Sequence, residues 1–422
     1  MLKPLATIIR LILVLLLFTT LFSYAMFQGG FVSWFLFFGF LPILIYSFFM
    51  IFYPLSLIKI DRQLSKKYLQ AGQKVQVNLM IKSPIPFPIL FLIIEDRLPR
   101  SINYNDTRHF KYQFLRKPDS LLKRDINKTI IFPRFKRKVV YSYEIPSIPR
   151  GLHQLKDVKI MTGDFLGLVK KEKIYQLPIN VLVEPREVDL RIDSEIAYFE
   201  EGEHTAYSIK ANHTNLVSGV RDYAPGDRVS WLDWKTTAKK QKLVTKEFEQ
   251  EKHKDLTVVL DGIRHKKNDW LAFEASVEIA NSIVRESMED HGKVSFVAIG
   301  QQRHEISLER GKRQLDQLTR FMAEVQLVDE EKAFSSKLLK EGMLISKDRN
   351  LVVVTHYLEQ RFHRTLLQIN QQEAKISLVY IRSKHDISNS ERKILDQLDQ
   401  EGVIVTWLHE DKLTRKFIEV NA

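Results

Sequence analysis

From Leu11 to Ile58 the chain carries no charged side chain and no histidine. One bilayer crossing takes about 20 apolar residues, so this run is long enough for two. "QGG" at 28–30 is the natural break between them. The pattern predicts transmembrane helices at 10–27 and 31–53, a hairpin filling residues 1–57. A cleaved signal peptide is the competing reading, because "SYA" at 23–25 resembles a weak cleavage site. The apolar core is too long for one, and a second apolar segment follows at once. Lys3 and Arg10 precede the first helix, and Lys59, Arg62, Lys66 and Lys67 follow the second. The turn between has no positive charge. This asymmetry predicts a multi-pass inner (plasma) membrane protein with both ends, and all of the soluble chain, in the cytoplasm.

Past Tyr68 the pattern has period two. In "KVQVNLMIKS" Val75, Val77, Leu79 and Ile81 face one way, and Lys74, Gln76 and Asn78 the other. "ILFLIIED" at 89–96 reads as a buried strand, "KVVYSYEI" at 138–145 alternates again, and "DVKIM" and "INVLVEP" follow. Proline and glycine punctuate these runs, which predicts a β-sandwich-like domain over 58–190. "PRFKRK" at 133–138 is a basic run with an aromatic inside it. It is either an anionic-lipid or nucleic-acid contact or a solvated hairpin tip, and charge runs are commonly only exposed. "TGDFLGLVKK" at 162–171 reads as a loop leading into a strand.

Residues 191–253 form a connecting segment, and from Lys254 the chain alternates strand and helix to residue 422. Apolar β-branched strands between amphipathic helices predict an α/β, Rossmann-like domain with a parallel sheet covered on both faces. Ligands of such sheets bind at the carboxyl ends of the strands. Those ends carry Asp261, Gly300, His356 and Arg382. The strand order resembles that of von Willebrand factor A domains, whose cation site uses Asp-x-Ser-x-Ser and a later Thr-Asp-Gly. This chain has "DGIRH" at 261–265 and "THY" at 355–357. Ile263 and His265 stand where oxygen donors belong, so the site around Asp261 reads as degenerate. No bound metal or other cofactor is expected.

The chain has 422 residues, a net charge of +13 and no cysteine. The charge suits an anionic partner, a membrane surface or nucleic acid. The lack of cysteine excludes disulfides, thiolate metal sites and cysteine nucleophiles. No P-loop, HExxH or GxSxG is present. Glu201, Glu203, His204 and His213 form a loose cluster without regular ligand spacing, the only place where an enzyme reading could start. The expectation is a non-enzymatic protein.

"GVRDYAPGDRVSWLDWK" at 219–235 is the densest stretch. Pro225 and Gly226 suit the centre of a type II turn, after which Asp227 can accept backbone N–H bonds. Trp231 and Trp234 share a face if helical. Arg221, Arg228 and Lys235 alternate with Asp222, Asp227 and Asp233, a set able to form an ion network. Either the stretch locks the sandwich to the α/β domain, or its tryptophans and arginines anchor a partner.

Gly219, Arg221, Tyr223, Pro225, Gly226, Asp227, Arg228, Asp233, Trp234, Lys235 and Ala238, with Lys246, Glu247 and Glu251, resemble the signature of a bacterial family, domain of unknown function fifty-eight. Arg228 falls early for the family's arginine, Leu232 replaces isoleucine and Lys239 replaces arginine. The resemblance extends to paired membrane helices, a β-rich segment, the motif and a von Willebrand A-like domain. It implies a membrane-anchored adaptor or assembly factor near the cell envelope. It also implies a MoxR-type AAA+ ATPase as partner, with a transglutaminase-like membrane protein beside it. A basic membrane protein that binds anionic lipid or nucleic acid is the alternative. The membrane tether and mixed-sign motif weigh against nucleic acid.

Overall fold

The computed structural model describes residues 2–84, 89–122, 127–193, 217–224, 227, 229–248, 255–290, 293–308, 312–330, 333–342, 350–370 and 375–421. Two apolar helices lead, α1 (Leu2–Gln28) and α2 (Phe31–Phe52), broken at Gly29, whose φ is +61°. Both are long and apolar enough to cross a membrane. The first begins earlier than the charge pattern suggests, because Lys3 and Pro4 occupy a first turn whose N–H groups need no partner within the helix.

A three-stranded and a five-stranded sheet follow. The first has the order β1 (Lys59–Leu64), β3 (Val75–Lys82), β6 (Lys138–Ile145). The second has the order β2 (Tyr68–Gln70), β8 (Lys170–Glu184), β7 (Gly151–Gly163), β4 (Leu92–Asp96), β5 (Asn127–Ile131). Val75, Val77 and Leu79 meet Leu92, Ile94, Val158 and Val181 in one apolar core. The alternation in β3 thus sets which face is buried. The runs at 157–161 and 179–185 belong to two long strands. Pro178 is tolerated inside β8 because the register shifts opposite it, between Leu155 and Asp157.

Then β9 (Asp189–Asp193) leads toward β10 (Val217–Asp222), which pairs antiparallel with β11 (Val244–Phe248) around α3 (Trp234–Lys240). The last unit is a six-stranded sheet. Its order is β14 (Arg303–Leu308), β13 (Val294–Ile299), β12 (Leu256–Asp261), β15 (Asn350–Thr355), β16 (Ile376–Ile381), β17 (Ile404–Leu408). Only β14 runs antiparallel. One face packs on α4 (Trp270–Asp290) and α5 (Lys312–Glu324). The other packs on α6 (Phe334–Gly342), α7 (Gln360–Asn370) and α8 (Asn389–Gln400). Every residue of β12, β13 and β16 is buried, which is why these strands show no alternation.

The chain closes with α9 (Glu410–Leu413) and β18 (Phe417–Asn421), and β18 lies parallel to β9. Packing does not respect a boundary near residue 190. Tyr112, Leu115 and Val188 join the core of the α/β sheet.

Candidate functional site

The motif folds as a small unit on the β10–β11 ribbon. Arg221 donates from Nη2 to Asp227 Oδ1 at 2.7 Å, and Asp227 Oδ2 accepts from the Ala224 N–H at 3.0 Å. The Arg221 hydrogen bond, reinforced by that N–H, holds the Asp227 carboxyl below its usual pKa. Asp233 caps α3, its Oδ1 accepting from the Thr236 N–H at 3.0 Å; this N–H lowers its pKa too. Lys239 and Lys240 occupy the last turn of α3, where the helix dipole favours cations.

Leu232 and Val244, the first residue of β11, are buried, while Trp234 is 63% exposed and Lys235 is exposed. Trp231 lies in a short 3-10 turn and Trp234 opens α3, with the extended Asp233 before it. The two tryptophans therefore do not share one helix face. Tyr223 ties the unit to its own ribbon, its N–H donating to the Leu243 carbonyl at 2.9 Å. Pro225, Gly226, Arg228 and the Glu201–His213 cluster lie outside the described residues.

Among the described residues, the ionic contacts joining sandwich and α/β domain come from elsewhere. Arg150 forks onto Glu274 of α4 at 2.9 and 2.7 Å, and its Nη1 donates to the carbonyls of Met322, Ala323 and Val325 at the end of α5. Lys111 is fully buried, 2.6 Å from both Asp106 and Glu278. Burial pushes its ammonium pKa down, but the two carboxylates outweigh burial and raise it. A readable signal existed: Glu274 and Glu278 are four apart in the first half of α4, where the other residues of 270–280 are apolar apart from Ser276.

The sandwich also grips the end of α2. Ser47 donates to Asp164 Oδ2 at 2.7 Å, and Lys171 donates to the carbonyls of Ile51 and Tyr53, each at 2.6 Å. The 162–171 loop therefore has a role its sequence did not suggest. The "PRFKRK" tip sits on the same side. Arg134 bridges to Ile89, and the adjoining Leu90 N–H donates to Tyr46 Oη of α2 at 3.4 Å. Phe132 and Phe135 there are 68% and 72% exposed.

At the carboxyl ends of the parallel strands the structure gathers Asp261 and His356, and Gly300 lies beside Gly262 on the neighbouring strand end. Asp261 Oδ2 accepts from His265 Nε2 at 2.9 Å and from Thr355 Oγ1 at 2.8 Å. Its Oδ1 accepts from the Ile263 N–H at 3.1 Å. His356 is fully buried, and among the described residues neither ring nitrogen has a hydrogen-bond partner. Burial pushes its pKa down, against the pull of Asp261 and Asp269. Arg382 pairs instead with Asp269, at 3.2 Å. Ile263 is buried and its side chain offers no ligand atom, as its sequence position implied. His265, however, brings an imidazole to Asp261, and His356 brings a second. The group around Asp261 therefore lacks the several oxygen donors a hard cation wants, but it brings together one carboxylate and two imidazoles.

A family model described as protein of unknown function DUF58 matches residues 219–402, starting at the first glycine of the motif. The Bacillus subtilis (strain 168) uncharacterized protein YeaD is 34% identical over 314 residues, 74% of each chain. Among solved structures, manganese-loaded Plasmodium vivax TRAP protein is similar at a TM-score of 0.29 and 12% identity, covering 39% of this chain and 71% of that one. The PilB minor pilin from Streptococcus sanguinis is similar at a TM-score of 0.27 and 8% identity, covering 77% and 85%. Overlap this weak carries no argument about fold or function.

Proposed function

This chain belongs to the DUF58 family, and from that premise we propose that it is a non-enzymatic, membrane-anchored adaptor or assembly factor. In this reading α1 and α2 cross the inner membrane, and the sandwich and the von Willebrand A-like domain stand in the cytoplasm. The partner is a MoxR-type AAA+ ATPase, with a transglutaminase-like membrane protein as a second associate. One observation carries the reading: Trp234 stands 63% exposed on a unit held in shape by the Arg221–Asp227 pair and the Asp233 cap. A large exposed aromatic on a pre-shaped polar frame is what an interface anchor requires.

The test is purification of the tagged, detergent-solubilised protein from its native membrane, with and without a non-hydrolysable ATP analogue. Nucleotide-dependent recovery of a AAA+ ATPase is the expected result. Recovery of none in either state would sink the reading.

The anionic-lipid alternative gains support from the position of "PRFKRK". Tyr46 lies six residues before the end of α2, roughly 9 Å along the helix. The loop bonded to it therefore flanks the last turns of a membrane helix. Exposed Phe132 and Phe135 with Arg134, Lys136, Arg137 and Lys138 form an aromatic and basic tip suited to a headgroup layer. Nucleic acid is less well supported, since a bilayer would occupy the space beside this tip.

A further inference from the structure

The donor atoms of Asp261, His265 and His356 all lie within 4.8 Å of one another. We propose that these three side chains bind a first-row divalent transition metal, zinc foremost. The inference is independent of the adaptor reading, and either can fail without the other.

Topology creates the cluster. β12 and β15 are hydrogen-bonded parallel neighbours, so the residues at and just past their carboxyl ends are adjacent in space. Asp261 ends β12, His356 follows β15, and His265 returns four residues after Asp261 to lie 2.9 Å from its carboxylate.

His356 supplies the second, independent observation. A fully buried imidazole with no hydrogen bond at either nitrogen among the described residues is costly unless something takes its place. A metal takes the lone pair of the unprotonated ring nitrogen. Burial also favours the neutral ring, which is the ligating form.

The donor set selects the ion. Two imidazoles and one carboxylate suit zinc and its neighbours in the first transition row. Magnesium and calcium want several oxygens, and Ile263 has removed one place where an oxygen could stand. Three protein ligands leave a tetrahedral ion one open position.

An outer shell is already in place. Thr355 Oγ1 holds the Asp261 carboxylate, and Asp269 Oδ2 lies 3.9 Å from His356 Nε2, where a carboxylate can orient a ligating ring. Asp261 offsets one of the dication's two charges, while Asp269 is shared with Arg382. The His265 side chain is 11% exposed while Asp261 and His356 are fully buried, so an ion enters past His265.

The full-length protein in detergent, purified through a histidine-free tag and stripped with EDTA, is titrated with zinc chloride and separately with magnesium chloride by calorimetry. One zinc per chain is expected, with magnesium giving no saturable heat. His265→Ala and His356→Gln each weaken zinc binding by about 100-fold or more, since each removes one of three ligands. His265→Cys, whose thiolate also ligates zinc, retains binding, and its cobalt complex gains a thiolate-to-metal charge-transfer band. This last arm tests the position even if His356→Gln fails to fold. Absence of saturable zinc binding overturns the proposal. So does unchanged affinity in folded His265→Ala, which would place the metal on other histidines, or equal affinity for magnesium.

Discussion

Arg150, in the turn before β7, reaches Glu274 on α4 with two hydrogen bonds of 2.9 and 2.7 Å, and neither side chain is more than 14% exposed. The same guanidinium caps the carboxyl end of α5. Arg150→Ala would strand a buried carboxylate and three carbonyls at once, a loss of about 3–5 kcal/mol. Urea unfolding in detergent measures it. Glu274→Gln, which keeps one acceptor, is expected to cost less.

The pair also sets a pH dependence. Burial pushes the Glu274 carboxyl pKa up, but the Arg150 charge and hydrogen bonds outweigh burial and hold it below its ordinary value of 4.5. The unfolded chain therefore binds the proton more tightly than the folded one. The junction's contribution is complete above about pH 4.5 and is lost as pH falls through the depressed folded value. Urea midpoints between pH 6 and pH 3 should fall more steeply for the native protein than for Glu274→Gln. Equal slopes would show that Glu274 does not titrate in this window.

Ser47 and Asp164 predict that the sandwich is seated on α2 rather than tethered to it. Ser47→Ala removes a buried hydrogen bond to a carboxylate and should cost about 1.5–3 kcal/mol. Protease cleavage between residues 53 and 59 should quicken with it. An unchanged digestion pattern would mean that Lys171, on the carbonyls of Ile51 and Tyr53, holds the seat alone.

The motif separates shape from recognition. Asp227→Ala removes the acceptor for Arg221 and Ala224, so amide exchange should speed up across 217–248 with little change in global melting. Trp234→Ala, at an exposed position, should shift stability by no more than about 0.5 kcal/mol. It should nevertheless abolish recovery of the partner. A folded Trp234→Ala protein that still recovers the ATPase would remove Trp234 from the interface.

The basic tip gives a lipid-dependent prediction. In nanodiscs containing phosphatidylglycerol, trypsin should cut within 134–138 more slowly than in phosphatidylcholine nanodiscs. Each basic side chain near an anionic surface is worth about 1 kcal/mol. High salt should erase the difference. Equal cleavage in both lipids would return the tip to a merely solvated loop.

Much of this architecture was legible along the chain because it is written in local periods. An uncharged run long enough for two helices, strict alternation at 75–81 and buried β-branched strands at 256–261 and 376–381 each report one element and the faces it buries. The turn acceptor at Asp227 was readable for the same reason, since its backbone partner Ala224 lies three residues away; the cap at Asp233 is equally local but was read only as part of an ion network.

The sequence by itself thus determined the elements, their faces and the family signature. Tertiary structure decided which distant groups meet. Lys111 looks like any surface lysine until Asp106 and Glu278 enclose it, and Asp164 looks like a turn residue until Ser47 points at it. His356 becomes a neighbour of Asp261 only because β15 lies beside β12, with β13 and β14 on the other side. Strand order is settled by which packing buries the most apolar surface while pairing every buried charge. That balance is struck between residues far apart in the chain, and no local period records it.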